Sequence, residues 1–363
     1  MTDARNILLT GTGTIGRELL FALVRNTRHS VAILLRARGK RTVEQRASRL
    51  FNELAFTPEE RARVDVLQGD VTICDFGLNA ATVNRLTQTL DLLIHTAATT
   101  SLTADHALCE TVNRTGTANA LTLAGRCFGG GRLRRFIHLS TAFVAGGGSH
   151  AVLAREDELA AAPAHLNYYE WSKYEAERLV RAAMRAGLPA TIFRPSMVVG
   201  ETETGRTRDF NVIYPLMRIM ASGYVKRFPA DPEARLHLAP IDFVIEAIKC
   251  GIEAEWASGL TFHLTTPKPP TVAELLSCEA FFPDGALRPQ LCSPNGFDLS
   301  MCSAREGELL ESVAFCFPYF NSHLSFATTN TARLIQLPIT DANFLGRLGR
   351  YAVASGYIRP LAA

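Results

Sequence analysis

What is scarce in this chain narrows its chemistry before any motif is considered. Charge of one sign is scarce: 38 Lys and Arg stand against 35 Asp and Glu, a formal net charge of +3. With no dense basic run interleaved with aromatics, that balance leaves no electrostatic footprint for nucleic acid. Long apolar runs are absent, and Met1-Thr2-Asp3-Ala4-Arg5 leads into a strand without the layout of a signal peptide. A cytoplasmic protein with no membrane partner is expected. The eight cysteines, at 74, 109, 127, 250, 278, 292, 302 and 316, form no Cys-x-x-Cys pair, and the nine histidines form no His-Glu-x-x-His. No metal site is expected, and most of the cysteines read as small core residues. There is no internal repeat. What is present, 47% hydrophobic residues in 363, suffices for one large domain or two unequal lobes.

The chain opens with the apolar strand Asn6-Ile7-Leu8-Leu9-Thr10, then Gly11-Thr12-Gly13-Thr14-Ile15-Gly16, then a helical run from Arg17 to Val24. In a strand-glycine-helix unit, Gly11 permits the tight turn, Gly13 lets a pyrophosphate approach the backbone, and Gly16 lets helix and strand pack closely. The free N–H groups of the helix start face the anion. The second strand, Val31 to Leu35, ends at Arg36-Ala37-Arg38-Gly39-Lys40-Arg41 and not at an acidic residue. A carboxylate there would bind the ribose 2′-hydroxyl of NAD, whereas guanidinium groups suit the 2′-phosphate of NADP. Arg36 is the first candidate, with Arg38 and Arg41 behind it. A third strand, Val64 to Asp70, places Asp70 to approach an adenine.

Further strands read as Asp91 to Ala98, running into the small residues Ala97 and Ala98, and as Arg135 to Ala142, with Ser140 and Thr141 at the C-terminal end where open parallel sheets bind ligands. A helix from Thr111 to Ala124 lies between them, and Ala190 to Gly200 supplies a sixth strand. Strands and helices in this rhythm specify an α/β fold, a Rossmann-type doubly wound parallel sheet. His95 and His138 fall at strand ends, where a packed or hydrogen-bonded imidazole is expected.

Between the fifth and sixth strands lies Asn167 to Val180, in which Tyr169 and Lys173 are four residues apart. Residues at that spacing share a helix face. On that geometry the Lys173 ammonium favours the ionised phenol and draws a group of ordinary pKa about 10 into range for proton transfer near neutral pH.

Together, Gly11/Gly13/Gly16, His95-Thr96-Ala97-Ala98, Asn113, Ser140-Thr141, Tyr169-x-x-x-Lys173 and Arg194-Pro195-Ser196 resemble the extended short-chain dehydrogenase/reductase family over about residues 5–265. Leu35-Arg36-Ala37 and the strings Leu139 to Val144, Tyr169 to Glu177, Val199 to Gly205 and Ala239 to Val244 are similar to its NADPH-dependent thioester reductase and fatty acyl-CoA reductase branch. One departure is visible: the family's Thr-Gly-x-x-Gly-x-x-Gly is here one residue shorter between its first two glycines, which is the more general dinucleotide fingerprint.

The resemblance implies NADP(H) held by Thr10, Gly11, Gly13, Thr14, Ile15, Gly16, Arg36, Arg38, Asp70, Val71, Ala97, Ala98, Asn113, Tyr169, Lys173 and Pro195. It implies catalysis by Thr141, Tyr169 and Lys173: Tyr169 protonates the carbonyl oxygen as hydride arrives, Thr141 hydrogen-bonds the oxyanion, and Lys173 binds the nicotinamide ribose. Asn113 reads as structural or water-holding. An acyl thioester is the expected substrate, reduced to aldehyde or alcohol. It is expected to arrive on coenzyme A or on a separate acyl or peptidyl carrier protein, with no fused carrier segment expected, and Arg206, Arg208 and Lys226 could meet an acidic carrier. Two other readings stand: an enzyme of the same fold acting on a ketone, sterol or nucleotide sugar, and a non-catalytic NADP sensor. A monomer or homodimer is expected.

Residues 1–200, with a return segment at about 236–265, form the expected NADP-binding domain, and 201–235 with 266–363 a smaller C-terminal substrate lobe. Pro267-Lys268-Pro269-Pro270, Phe282-Pro283-Asp284-Gly285 and Ser293-Pro294-Asn295-Gly296 mark turns in that lobe. Phe315 to Phe320 reads as lobe core or, less simply, as an acyl-channel lining.

Overall fold

The computed structural model describes residues 4–147, 153–211, 213–282 and 287–359. Its strands β1 (Asn6–Thr10), β2 (Ser30–Leu35), β3 (Val64–Gln68), β4 (Leu92–His95), β5 (Arg135–Leu139), β6 (Ala190–Pro195) and β7 (Thr261–Leu264) form one sheet in the order β3-β2-β1-β4-β5-β6-β7. The registered neighbours from β3 to β6 are parallel. The bonds from Ile192 N to Leu260 O and from Ser196 N to Leu264 O carry the same sense to β7. Strand order turns back between β1 and β4, the switch point beyond whose C-terminal strand ends such sheets bind ligands. The doubly wound parallel sheet read from the sequence is present.

The strands are near-continuous apolar runs because helices cover both faces. Helices α1 (Thr14–Asn26), α2 (Ala80–Thr89), α3 (Gly116–Gly129) and α4 (Tyr168–Arg185) follow in chain order. Leu8, Leu93, Phe136 and Ile192 of the sheet meet Leu86 of α2, Leu123 and Ala124 of α3, and Val180 of α4 in one buried cluster. Ile7 and Leu9 alternate with Leu8 along β1 and are equally buried, on the opposite face. The helix expected from Thr111 is longer: His106–Cys109, a π-helical turn at Glu110–Thr115 and α3 follow one another directly. Arg135 at the start of β5 is buried, and its guanidinium donates to the carbonyls of Gly251, Ala254 and Glu255. It thereby satisfies the C-terminal end of α5 (Ile241–Glu253).

The chain divides into two compact units. The first comprises Met1–Val144, Asn167–Arg194 and Ile248–Phe262, and the second Ala145–Leu166, Pro195–Ala247 and His263–Ala363. Residues 145–166, 195–200 and 236–247 thus group with the second unit. The second unit holds three short parallel pairings: Met197–Val199 with Leu238–Pro240, Arg227–Pro229 with Gln290–Cys292, and Leu153–Ala154 with Ser325–Phe326. Of the expected return segment only Thr261–Leu264 enters the large sheet, because Met197 N bonds His237 O and the backbone beyond Ser196 follows that partner.

Glu156 is buried and accepts from the backbone N of His263, Asn330 and Thr331, which caps the short helix Thr329–Leu334. The Phe315–Phe320 run lies in a 3-10 helix whose Phe317 and Phe320 pack edge-on against the buried Phe228, so that side of it belongs to the core of its unit, while Phe315 is exposed. The apolar run near Tyr214 is a helix at Ile213–Met220. Val212, and Pro283 to Gly285 of one turn signal, lie outside the described residues.

Gly251 of α5 packs directly on β6. A Cβ there would lie 2.4 Å from Cζ of Phe193, which is itself fully buried and stacked on Phe262. Gly251→Ala should therefore lower stability by about 1–3 kcal/mol, since the ring has nowhere to move. Urea unfolding measures this, and an unchanged midpoint would show that helix and strand separate without cost.

Candidate active site

The turn after β1 is built on two glycines that leave no room for a side chain. Gly11 has φ +92°, and a Cβ there would stand 2.6 Å from Ala97 N; at Gly16 it would stand 2.2 Å from Gly11 O and 2.8 Å from Thr96 Oγ1. Gly13 is different. Its φ is −70°, and a Cβ would meet nothing within 4 Å. It is the N-cap of α1, makes no side-chain cap bond, and is followed by a first turn without acidic residues. An exposed glycine edge therefore faces open space at the positive end of a helix, a cradle that fits an anion.

Thr14 and Ile15 open the helix beside it. Thr10 is buried with its Oγ1 2.8 Å from His95 Nδ1, and Thr96 Oγ1 donates to Thr10 O at 2.7 Å, so the ends of β1 and β4 are tied together. Ala97 and Ala98 continue from β4 as small, partly exposed residues.

At the end of β2, Arg36 Nη1 pairs with Asp70 Oδ2 at 2.8 Å. The other carboxylate oxygen accepts from Thr72 N and Oγ1 at 3.0 and 2.9 Å. Burial alone would raise the Asp70 carboxyl, but the bonds from Thr72 and Arg36 bring it below its ordinary range. Two residues expected to serve different parts of a cofactor thus form an ion pair with each other. Arg38 and Arg41 close a tight turn by reciprocal backbone bonds of 3.1 Å, with Gly39 between them at φ +59°.

Arg46, which the sequence reading passed over, joins this group. It donates to the Arg36 carbonyl, and burial followed by the charges of Arg38, Arg36 and Arg41 lowers its pKa. Its signal was the Thr42/Gln45 capping box that starts helix Val43–Glu53 directly after the arginine loop. Val71 is buried beside Gly116, and its carbonyl accepts from Asn119 Nδ2 at 2.8 Å. Asp75 and Phe76, at φ 51° and 59°, then take left-handed conformations that cost about 1–2 kcal/mol each. Phe76 is fully buried, and its carbonyl accepts from Asp70 N at 2.9 Å, which fixes the loop that carries Asp70.

Asn167 caps α4 by accepting from Glu170 N at 3.0 Å, so the helix starts immediately before Tyr169. Three successive turns of α4 then hold three adjacent residues at the end of β5, Leu139 to Thr141. Tyr169 shares a hydrogen bond with Thr141, Lys173 Nζ donates to Leu139 O at 2.6 Å, and Glu177 accepts from Ser140 Oγ at 2.7 Å. Thr141, Tyr169 and Lys173 are therefore brought together. Asn113, in the π-helical turn, accepts from Thr99 N and donates to Thr99 O and to Ser172 Oγ, tying the segment after β4 to α4. Pro195 ends β6.

The electrostatics differ from the sequence expectation in one respect. Burial pushes the Tyr169 phenol up to about 12, partly offset by the bond from Thr141. Burial of the hydroxyl therefore sets the direction of the net shift; the Lys173 ammonium donates to the Leu139 carbonyl and is itself lowered to about 8 by burial, against the Glu177 carboxylate. The phenol is thus protonated at neutral pH, the form a proton donor needs. His95 bonds Thr10 and Thr117 and is held neutral, down to about 3, by burial and by the Lys173 charge. His138 packs beside both the Phe136 and the His95 rings, and neither of its nitrogens has a hydrogen-bond partner. Among the described residues no cluster of three His, Cys, Asp or Glu side chains could hold a metal ion, and no helix is long and apolar enough to cross a membrane.

A family model described as Male sterility protein matches residues 9–248. Over 277 residues the chain is 28% identical to glycine betaine reductase ATRR of Emericella nidulans, covering 74% of this chain and 21% of that protein. Over 278 residues it is 23% identical to fatty acyl-CoA reductase wat of Drosophila melanogaster, covering 67% of this chain and 53% of that one. The chain thus spans about a fifth and about half of the length of these two relatives. Among solved structures, the terminal R domain from the myxalamid PKS-NRPS biosynthetic pathway is similar with TM-score 0.84 and 26% identity, covering 99% of this chain and 93% of that chain.

The two kinds of glycine should respond differently to alanine. Gly13→Ala is expected to leave the thermal midpoint unchanged while weakening nicotinamide dinucleotide binding at least about tenfold, because the methyl occupies the open edge of the turn. Gly16→Ala should unfold the turn itself. Cofactor fluorescence and thermal melts read the two effects, and full binding by Gly13→Ala would remove the turn from the site.

Proposed function

The chain belongs to the male sterility protein family of extended short-chain dehydrogenase/reductases, and on that premise we propose that it is an NADPH-dependent reductase of acyl thioesters, yielding aldehyde or alcohol. The observation that carries reduction is the convergence of Thr141, protonated Tyr169 and Lys173 on one strand end. The thioester class is supported by similarity to a fatty acyl-CoA reductase and to a terminal R domain. The acyl group would be presented by coenzyme A or by an acyl or peptidyl carrier protein. Of the three cations considered for a carrier contact, Arg206 is ion-paired with Glu201 at 2.6 Å and brings no net charge there.

The fit of the cofactor rests on the open edge at Gly13 and on the arginine group. Gly11, Gly13 and the start of α1, with Thr10, Thr14, Ile15 and Gly16, would hold the pyrophosphate, and Asp70 and Val71 would border the adenine. Arg36, Arg38, Arg41 and Arg46 repel one another, and Asp70 offsets only one of these charges. A 2′-phosphate dianion placed among them would relieve that repulsion, whereas the neutral hydroxyl of NAD would not. Ala97, Ala98, Asn113 and Pro195 border the remaining path toward Tyr169 and Lys173.

When bound, the nicotinamide would supply hydride to the thioester carbonyl carbon. The chain's own part is the proton and the charge. Thr141 hydrogen-bonds the oxygen as negative charge grows on it, and Tyr169 gives up its proton to that oxygen; the hemithioacetal so formed breaks its C–S bond to release aldehyde and free thiol, and a second hydride and proton would give the alcohol. A phenol raised by burial passes its proton readily only to a strong base, and the developing alkoxide is one. Lys173 lies one turn away to stabilise the phenolate left behind, and its ammonium form is required for that.

Two experiments test this reading. Tyr169→Phe should lower kcat about 10²- to 10⁴-fold while dinucleotide binding persists, in NADPH-oxidation assays with acyl-CoA. Parallel assays with simple ketones should be inactive, and turnover of ketones alone would overturn the substrate class. Arg46→Ala should weaken NADPH at least about tenfold and change NADH less than about threefold. Equal losses for both would show that Arg46 supports the fold and does not select the phosphate.

A further inference from the structure

We propose that Glu177 is the positioning residue of this site: its buried carboxylate locks α4 to the end of β5 and keeps the Lys173 ammonium in place and charged, an inference that rests on the roles of Tyr169 and Lys173 given above. The sequence reading gave Glu177 no role. It is fully buried and takes donors from three elements. Ser140 Oγ after β5 lies at 2.7 Å, Arg194 of β6 reaches it through Nε at 3.0 Å and Nη2 at 2.6 Å, and Arg181 of α4 through Nε at 2.8 Å. Tyr169, Lys173, Glu177 and Arg181 are spaced four apart and line one face of α4. Ser140 sits between Leu139, which Lys173 grips, and Thr141, which Tyr169 grips. A shift of Glu177 would therefore move the register of both contacts.

The groups that face Lys173 make Glu177 the only described carboxylate supporting its charge. His95 from β4 and His138 from β5 are buried and neutral, and the unpartnered nitrogens of His138 offer nothing to stabilise a proton. Arg194 and Arg181 are cations held by Glu177, and Tyr169 is a protonated phenol. Burial lowers the Lys173 pKa to about 8, and Glu177 opposes that fall. Glu177 itself is held ionised at about 2, its burial outweighed by Arg194 and Arg181. Replacing it with glutamine keeps the shape and leaves two guanidinium groups uncompensated near the ammonium, so the lysine proton would be lost at lower pH.

The chain has five lysines, at 40, 173, 226, 249 and 268, so lysine labelled with ¹³C at Cε gives a sparse spectrum in which Lys173→Met assigns the resonance of interest. In Glu177→Gln the Lys173 midpoint is expected about one pH unit or more below wild type, a tenfold loss of proton affinity. The alkaline limb of kcat/KM for acyl-CoA should move the same way, and Glu177→Asp should restore both. Arg181→Gln, at the edge of the cluster, guards against a glutamine variant that fails to fold: removing that cation should raise the lysine midpoint. A Lys173 midpoint equal to wild type in Arg181→Gln or in folded Glu177→Gln overturns the proposal. A displaced midpoint in a protein that reduces no thioester upholds the role of Glu177 and rejects the substrate reading instead.

Discussion

A buried carboxylate between two guanidinium groups is the constraint on which the site depends. Ion pairs of this kind are poor stabilisers compared with apolar packing, because desolvation cancels much of their attraction. Their value is geometric: with Ser140, Arg181 and Arg194 all donating to Glu177, one rotation and one register of α4 satisfy every partner. Tyr169 and Lys173, two turns and one turn before it, inherit that register. Thr141 inherits it from the strand side.

Much of this was legible in the sequence because it follows from local rules. The strand-glycine-helix start, the arginines after β2 and the i,i+4 pair at Tyr169 and Lys173 each depend on residues close in the chain. What could not be read is what depends on distant partners. Arg46 became relevant only when helix Val43–Glu53 folded back beside Arg36. Glu177 acquired its role from Arg194, a residue on a strand that only the fold brings near.

The sign of the phenol's shift failed for the same reason. Spacing places a cation on the same helix face, but it cannot show how deeply the hydroxyl is desolvated. Burial then outweighs the local electrostatic argument. For reduction the outcome is favourable, since the acid must hold its proton until an alkoxide asks for it.

The strand order carries a consequence for how the molecule assembles. β7 pairs with β6, yet Thr261 follows Pro195 by 66 positions, and the chain between them belongs mostly to the other compact unit. Until that stretch has been synthesised and organised, β6 presents a bare row of amide and carbonyl groups along one side. Parallel pairings over such separations are slow to form, and an unsatisfied strand margin invites pairing with other chains. Completion of the large sheet is thus a late event during synthesis, and β6 is open to pairing with other chains until β7 arrives.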